Sequence, residues 1–109
     1  MQNRRQPKTD RDVAIAEIKA ALKTRASFPV SVTGGKGTAW GWITIAATPR
    51  ALVDGTMTGA QCKELAELLG LDNVHSQGEL IPASSGHYRE YVDRACGRVP
   101  AALGTRFWD

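Results

Sequence analysis

Large rings are scarce in this chain. Aromatic residues make up 6% of it, as three Trp, two Tyr and two Phe, so aliphatic side chains have to supply most of the core. Cysteine is scarcer still. Cys62 and Cys96 are too few for the disulfide framework of a small secreted domain, and both fall inside expected helices among core-type residues, where buried thiols act as small hydrophobes. No apolar run approaches the roughly 20 residues of a membrane-spanning helix. The opening MQNRRQPKTD is polar and basic where a secretion leader would be apolar. The expectation is a cytoplasmic protein.

The usual constellations of catalysis are missing too. The order Cys62, His75, His87, Cys96 lacks the paired short spacings of a structural zinc site, and no metal or other cofactor is expected. TGGKGT at 33–38 is not a phosphate-binding loop, because Lys36 precedes the last glycine and a strand, not a helix, follows. Ser84 and Ser85 stand near His87 with Asp93 beyond, but six residues do not bring His87 and Asp93 to one helix face. No nucleophile elbow is present either, and the serines serve better as helix caps. The chain is read as a non-enzyme.

Hydrophobic residues at 42% and charged residues at 23% of 109 positions suit one folded domain with a single modest core. Thr9 and Asp12 pattern as a capping box, and Ala14, Ile15, Ile18, Ala21 and Leu22 follow helical spacing, predicting a helix over 10–25. Phe28, Val30 and Val32 alternate with polar neighbours, GGKG supplies turn residues with positive φ, and 38–46 returns, giving a hairpin over 28–46. AATPRALVDGT connects onward, with a short helical turn as one option. Thr58 and Gln61 open a second helix over 59–69, stopped by Gly70. A third strand is expected within 74–81, then a helix over 85–96 whose Tyr88, Tyr91, Val92 and Ala95 share a face. Arg89 and Asp93, and Glu90 and Arg94, are read as exposed pairs one turn apart, with Arg94 and Arg98 as an alternative basic surface. The fold class is α+β: a small antiparallel sheet with about three helices on one face. By position the chain divides into a flexible basic arm (1–9), one α+β domain (10–98) and a carboxy-terminal tail (99–109).

Charge is unevenly spread. The net +3 is concentrated in residues 1–25, which hold Arg4, Arg5, Lys8, Arg11, Lys19, Lys23 and Arg25 against Asp10, Asp12 and Glu17; residues 58–109 are slightly acidic. Such polarity suits an anionic partner. Lys19 and Lys23 repel each other across one helical turn, which hints at a use for that face.

In AWGWITI (39–45), if Ile43 and Ile45 point into the core, strand alternation turns Trp40, Trp42 and Thr44 outward. Two tryptophans beside Lys36 on a glycine-rich tip would stack bases and attract phosphate, or form the centre of a protein contact. The alternatives are cover by a helix or by the Phe107–Trp108 tail, and a bulge at Gly41 that sends one ring inward.

GKGTAWGWITI, ELAELLGL and IPASSGHYREYVDRA together resemble a small α/β domain found in phages, plasmids and other mobile elements, over residues 28 to about 98. The resemblance implies mobile-element biology, in which small proteins often inhibit host defence, anti-CRISPR proteins among them, by binding and not by catalysis. Three readings follow. The first is a binding protein that engages nucleic acid or a nucleoprotein through Arg4, Arg5, Lys8, Arg11, Lys19, Lys23, Lys36, Trp40 and Trp42. The second is an inhibitor of a host defence complex acting by protein contact. The third is a homodimer in which the tryptophans pair across a two-fold axis.

Overall fold

A computed structural model describes residues 9–98. The arm preceding Thr9, with Arg4, Arg5 and Lys8, and the tail after Arg98 lie outside the described residues.

Helix α1 spans Asp10–Arg25. Thr9 caps it, its hydroxyl accepting from the Asp12 amide at 3.2 Å. Asp10 and Asp12 in the first turn and Lys23 and Arg25 in the last complement the helix dipole. Ala14, Ile18 and Leu22 form its buried stripe, spaced three to four apart as one helix face requires. Strand β1 (Val30–Gly34) and strand β2 (Ile43–Ala47) pair antiparallel with Val32 opposite Ile45 and Gly34 opposite Ile43. The connection at 48–58 holds a short 3₁₀ turn, Pro49–Ala51, and a tight bridge between Val53 and Thr56. Helix α2 (Gly59–Leu69) opens with a full capping box, Gln61 amide to Thr58 hydroxyl at 3.1 Å and Thr58 amide to the Gln61 side chain at 2.9 Å. Gly70 ends it in the left-handed conformation (φ 66°), which lets the Leu71 amide reach back to the Ala66 carbonyl at 2.8 Å.

Strand β3 is short, Glu79–Ile81, because residues 75–78 turn before it. It pairs antiparallel with β2, Thr44 opposite Leu80, so the sheet order is β1-β2-β3. Helix α3 (Ser85–Ala95) follows. Ser84 occupies its N-cap position without a side-chain cap bond, while the Ser85 hydroxyl donates to Asp10 Oδ2 at 2.8 Å and so ties the starts of α1 and α3. The α+β architecture expected from sequence is therefore present, with three α-helices and a three-stranded antiparallel sheet among the described residues.

Alternation sorts the sheet into two faces. Val32, Ile43, Ile45, Ala47 and Ile81 are buried against the helices with Ile18, Leu22, Leu65, Leu69 and Tyr91. Each such aliphatic side chain contributes about 1.5–3 kcal/mol of burial. On the other face Ser31, Thr44 and Ala46 are half-buried, and Thr33 and Leu80 are exposed. Glu79 is the polar member of the inner row, and the Tyr91 hydroxyl donates to its carboxylate.

One expectation is reversed. Glu90 and Arg94 are not exposed: the pair is buried at 2.7 Å, and Arg94 Nη1 also donates to the carbonyls of Leu69 and Gly70 at 3.1 Å each. The end of α2 packs onto that face of α3, so a carboxylate enters the interior with a guanidinium that bonds its Oε2 and closes the helix terminus, while Glu90 Oε1 is buried without a hydrogen-bond partner among the described residues. Asp93 pairs with Arg98 at 3.0 Å instead of Arg89, and burial of Arg94 removes the alternative of a shared Arg94–Arg98 surface. The cysteines also differ from expectation: Cys62 is half-buried and Cys96 exposed.

Removing one partner of a buried pair strands the other charge. Arg94→Met is expected to lower stability by about 3–5 kcal/mol in urea titration, whereas Arg98→Met leaves the midpoint unchanged. A second expectation concerns acid. Two Ser27 bonds, first the hydroxyl and then the backbone amide, hold the Glu64 carboxyl below its ordinary 4.5, each at 2.6 Å. A depressed folded value stabilises the protein above 4.5 and is lost as pH falls through it. Glu64→Ala should thus unfold earlier than wild type at pH 7, with the gap closing as the pH is lowered below 4.5.

Candidate functional site

Strand β2 begins at Ile43, so Trp40 is not a strand residue. Residues Gly37–Ala39 form a 3₁₀ turn, and the chain rejoins the ladder through the Gly35 amide bond to the Trp42 carbonyl at 2.8 Å. GGKG works differently from a simple hairpin turn. Gly37 has the positive φ of 61°, but Gly35 is needed for close approach: a Cβ there would lie 2.0 Å from the Ala39 carbonyl oxygen. The 3₁₀ turn also offers no helix terminus for a phosphate.

Two side chains from the helices hold this turn. Arg11 Nη1, from the first turn of α1, donates to the carbonyls of Trp40 at 2.5 Å and Gly35 at 3.1 Å. Its guanidinium lies 3.9 Å from the centre of the Trp40 ring, a cation–π contact. Gly34 leaves room for it, since a Cβ there would meet Arg11 Nη1 at 2.4 Å. From α3, the Tyr88 hydroxyl donates to the Gly41 carbonyl. Burial pushes that phenol above its ordinary value, with Arg11 opposing and Asp10 adding to the shift, so it stays a donor.

The tryptophans are both exposed, Trp40 at 46% and Trp42 at 37%, and no shift of register at Gly41 sends either ring inward. They do not share a strand face as alternation predicts. Trp40 lies over Arg11 of α1. Trp42, one residue before the buried Ile43, falls on the sheet side of Thr44, away from the helices, where Leu80 is 47% exposed.

The nine residues expected to bind a partner are therefore separated. Lys36, Trp40 and Trp42 come together on the turn, and Lys36 is exposed. Arg11 stands beside them but is turned inward: its side chain is 15% exposed and lies 3.6 Å from Asp12, so it supports the turn and is not available to a ligand. Lys19 and Lys23 are exposed but about 12 and 18 Å farther along the axis of α1 at 1.5 Å per residue. Arg4, Arg5 and Lys8 lie outside the described residues, and in the chain they lead into Thr9, two residues before Arg11. Sequence reasoning missed Leu80 as an exposed residue of the sheet, opposite Thr44, and missed the supporting roles of Arg11 and Tyr88. The signal for Arg11 was a cation in a helix's first turn, where the dipole disfavours it.

Among the described residues no three His, Cys, Asp or Glu side chains form a group able to hold a metal ion, and no helix is long and apolar enough to cross a membrane. No protein-family model, curated protein or solved structure matches this chain.

Arg11 Nη1 bonds two carbonyls while the guanidinium plane covers one ring, a combination that a lysine cannot reproduce. Arg11→Lys should red-shift the Trp emission and destabilise the domain by about 1–3 kcal/mol, read by fluorescence-monitored unfolding.

Proposed function

We propose that this protein is a non-catalytic binding protein that engages nucleic acid, alone or within a nucleoprotein, at the Trp40–Trp42 turn. The observation that carries the reading is the Arg11 tie. It fixes the start of α1 against the turn, beside two exposed tryptophans and Lys36, and the basic stretch holding Arg4, Arg5 and Lys8 precedes that start in the sequence. Aromatic faces for bases together with cations for phosphates are the two elements a nucleic-acid site needs. The reading belongs in the cytoplasm, where such ligands are found, and agrees with the mobile-element resemblance of residues 28–98.

A second reading, inhibition of a host defence complex by protein contact, is favoured by one observation. The sheet face bearing Trp42 and Leu80 carries Ser31, Thr33, Thr44 and Ala46 and no charge among the described residues, a composition suited to the centre of a protein interface.

Salt separates them. With Arg4, Arg5, Lys8 and Lys36 on phosphates, log K for a labelled oligonucleotide should fall against log salt with a slope of about −3 in fluorescence anisotropy. Lys36→Ala should reduce the slope by somewhat less than one. Absence of binding at low salt would remove the nucleic-acid reading and leave the protein-contact one.

A further inference from the structure

We infer, resting on the nucleic-acid reading above, that the ligand is single-stranded, with one unpaired base on the free face of Trp40, another on Trp42, and the intervening backbone passing Lys36. Trp40 has one π-face covered by the Arg11 guanidinium at 3.9 Å and is nevertheless 46% exposed, so the accessible face is the one away from α1. It can take a single flat partner. The turn's backbone is held by the Arg11 bonds to the Trp40 and Gly35 carbonyls and by the Tyr88 bond to Gly41, and the ring rests on the guanidinium, so less freedom is lost when that partner arrives.

Trp42 offers a second face on a different surface. It stands on the open side of the sheet with Thr44 and Leu80, and the hydroxyls of Ser31, Thr33 and Thr44 carry both donors and acceptors. A duplex cannot use this arrangement. Its bases turn only their edges outward, its rim is phosphate, and the sheet face holds no cation among the described residues to meet that rim. Unpaired bases do present π-faces, and hydroxyls on a flat sheet suit their edges. Lys36, exposed on the same turn, supplies a cation for the phosphate between the two bases.

The test compares a short fluorescein-labelled oligothymidylate, the matching RNA homopolymer and a mixed-sequence duplex of equal length against the full chain, by anisotropy at moderate salt. The single strands are expected to bind at least tenfold more tightly than the duplex. Trp40→Ala and Trp42→Ala should each weaken single-strand binding by about 5- to 100-fold, from about 1–3 kcal/mol per stacked base, and leave duplex binding as it was. Trp42→Phe, which keeps a ring, should retain most of the affinity and controls for damage to the fold. If the duplex binds as tightly as the single strands and neither alanine variant distinguishes them, the inference is wrong while nucleic-acid binding through the basic arm stands. If none of the three probes binds even at low salt, both the inference and the reading beneath it are wrong.

Discussion

A single guanidinium joins the parts of this molecule that matter for its surface. Arg11 leaves the first turn of α1, crosses to the hairpin, bonds the Trp40 and Gly35 carbonyls and lies under the Trp40 ring. Planarity lets one side chain serve as hydrogen-bond donor and as the floor of a stack at once. Without it, the carbonyls of a 3₁₀ turn would lose their partner, and an exposed tryptophan would have nothing to hold its orientation. The glycines at 34 and 35 are the steric counterpart of that contact, since side chains there would collide with Arg11 or with the Ala39 carbonyl.

The interior is organised by a related device at the opposite end of the helices. Arg94 neutralises the buried Glu90 and closes the end of α2. Arg25, from the last turn of α1, donates to the carbonyls of Leu68 at 3.2 Å and Ala95 at 2.5 Å. The helix carbonyl ends thus find cations in place of water. Aliphatic burial holds the helices on the sheet, and these arginines fix how they sit.

Local rules made much of the fold legible. The helices over 10–25 and 59–69 announce themselves through Thr9, the Thr58–Gln61 box and Gly70, because caps and periodic burial are properties of contiguous residues. The hairpin followed from alternation in Val30–Val32 and Ile43–Ile45. The same alternation, carried past the end of the strand, misplaced Trp40, since nothing local says that the ladder is interrupted by a 3₁₀ turn. Glu90 and Arg94 read as a solvated pair because their burial is decided by the end of α2, whose carbonyls are 24 and 25 residues from Arg94 in sequence. Arg11 read as a free cation for the same reason: its acceptors are 24 and 29 residues distant. Exposure of Trp40 and Trp42 was one of the alternatives that the sequence left open, and the supports that position them are tertiary.

The central claim is that the Trp40–Trp42 turn is a prepared surface for unpaired bases. Its most direct test is a nitrogen–proton correlation spectrum of the labelled protein during titration with a short single-stranded oligonucleotide. The account predicts that the indole signals of Trp40 and Trp42 and the amides of residues 35–42 move together and saturate, while the amides of α2 stay in place. Shifts confined to α2 or to the far end of α1, with both indole signals unmoved at saturation, would contradict it.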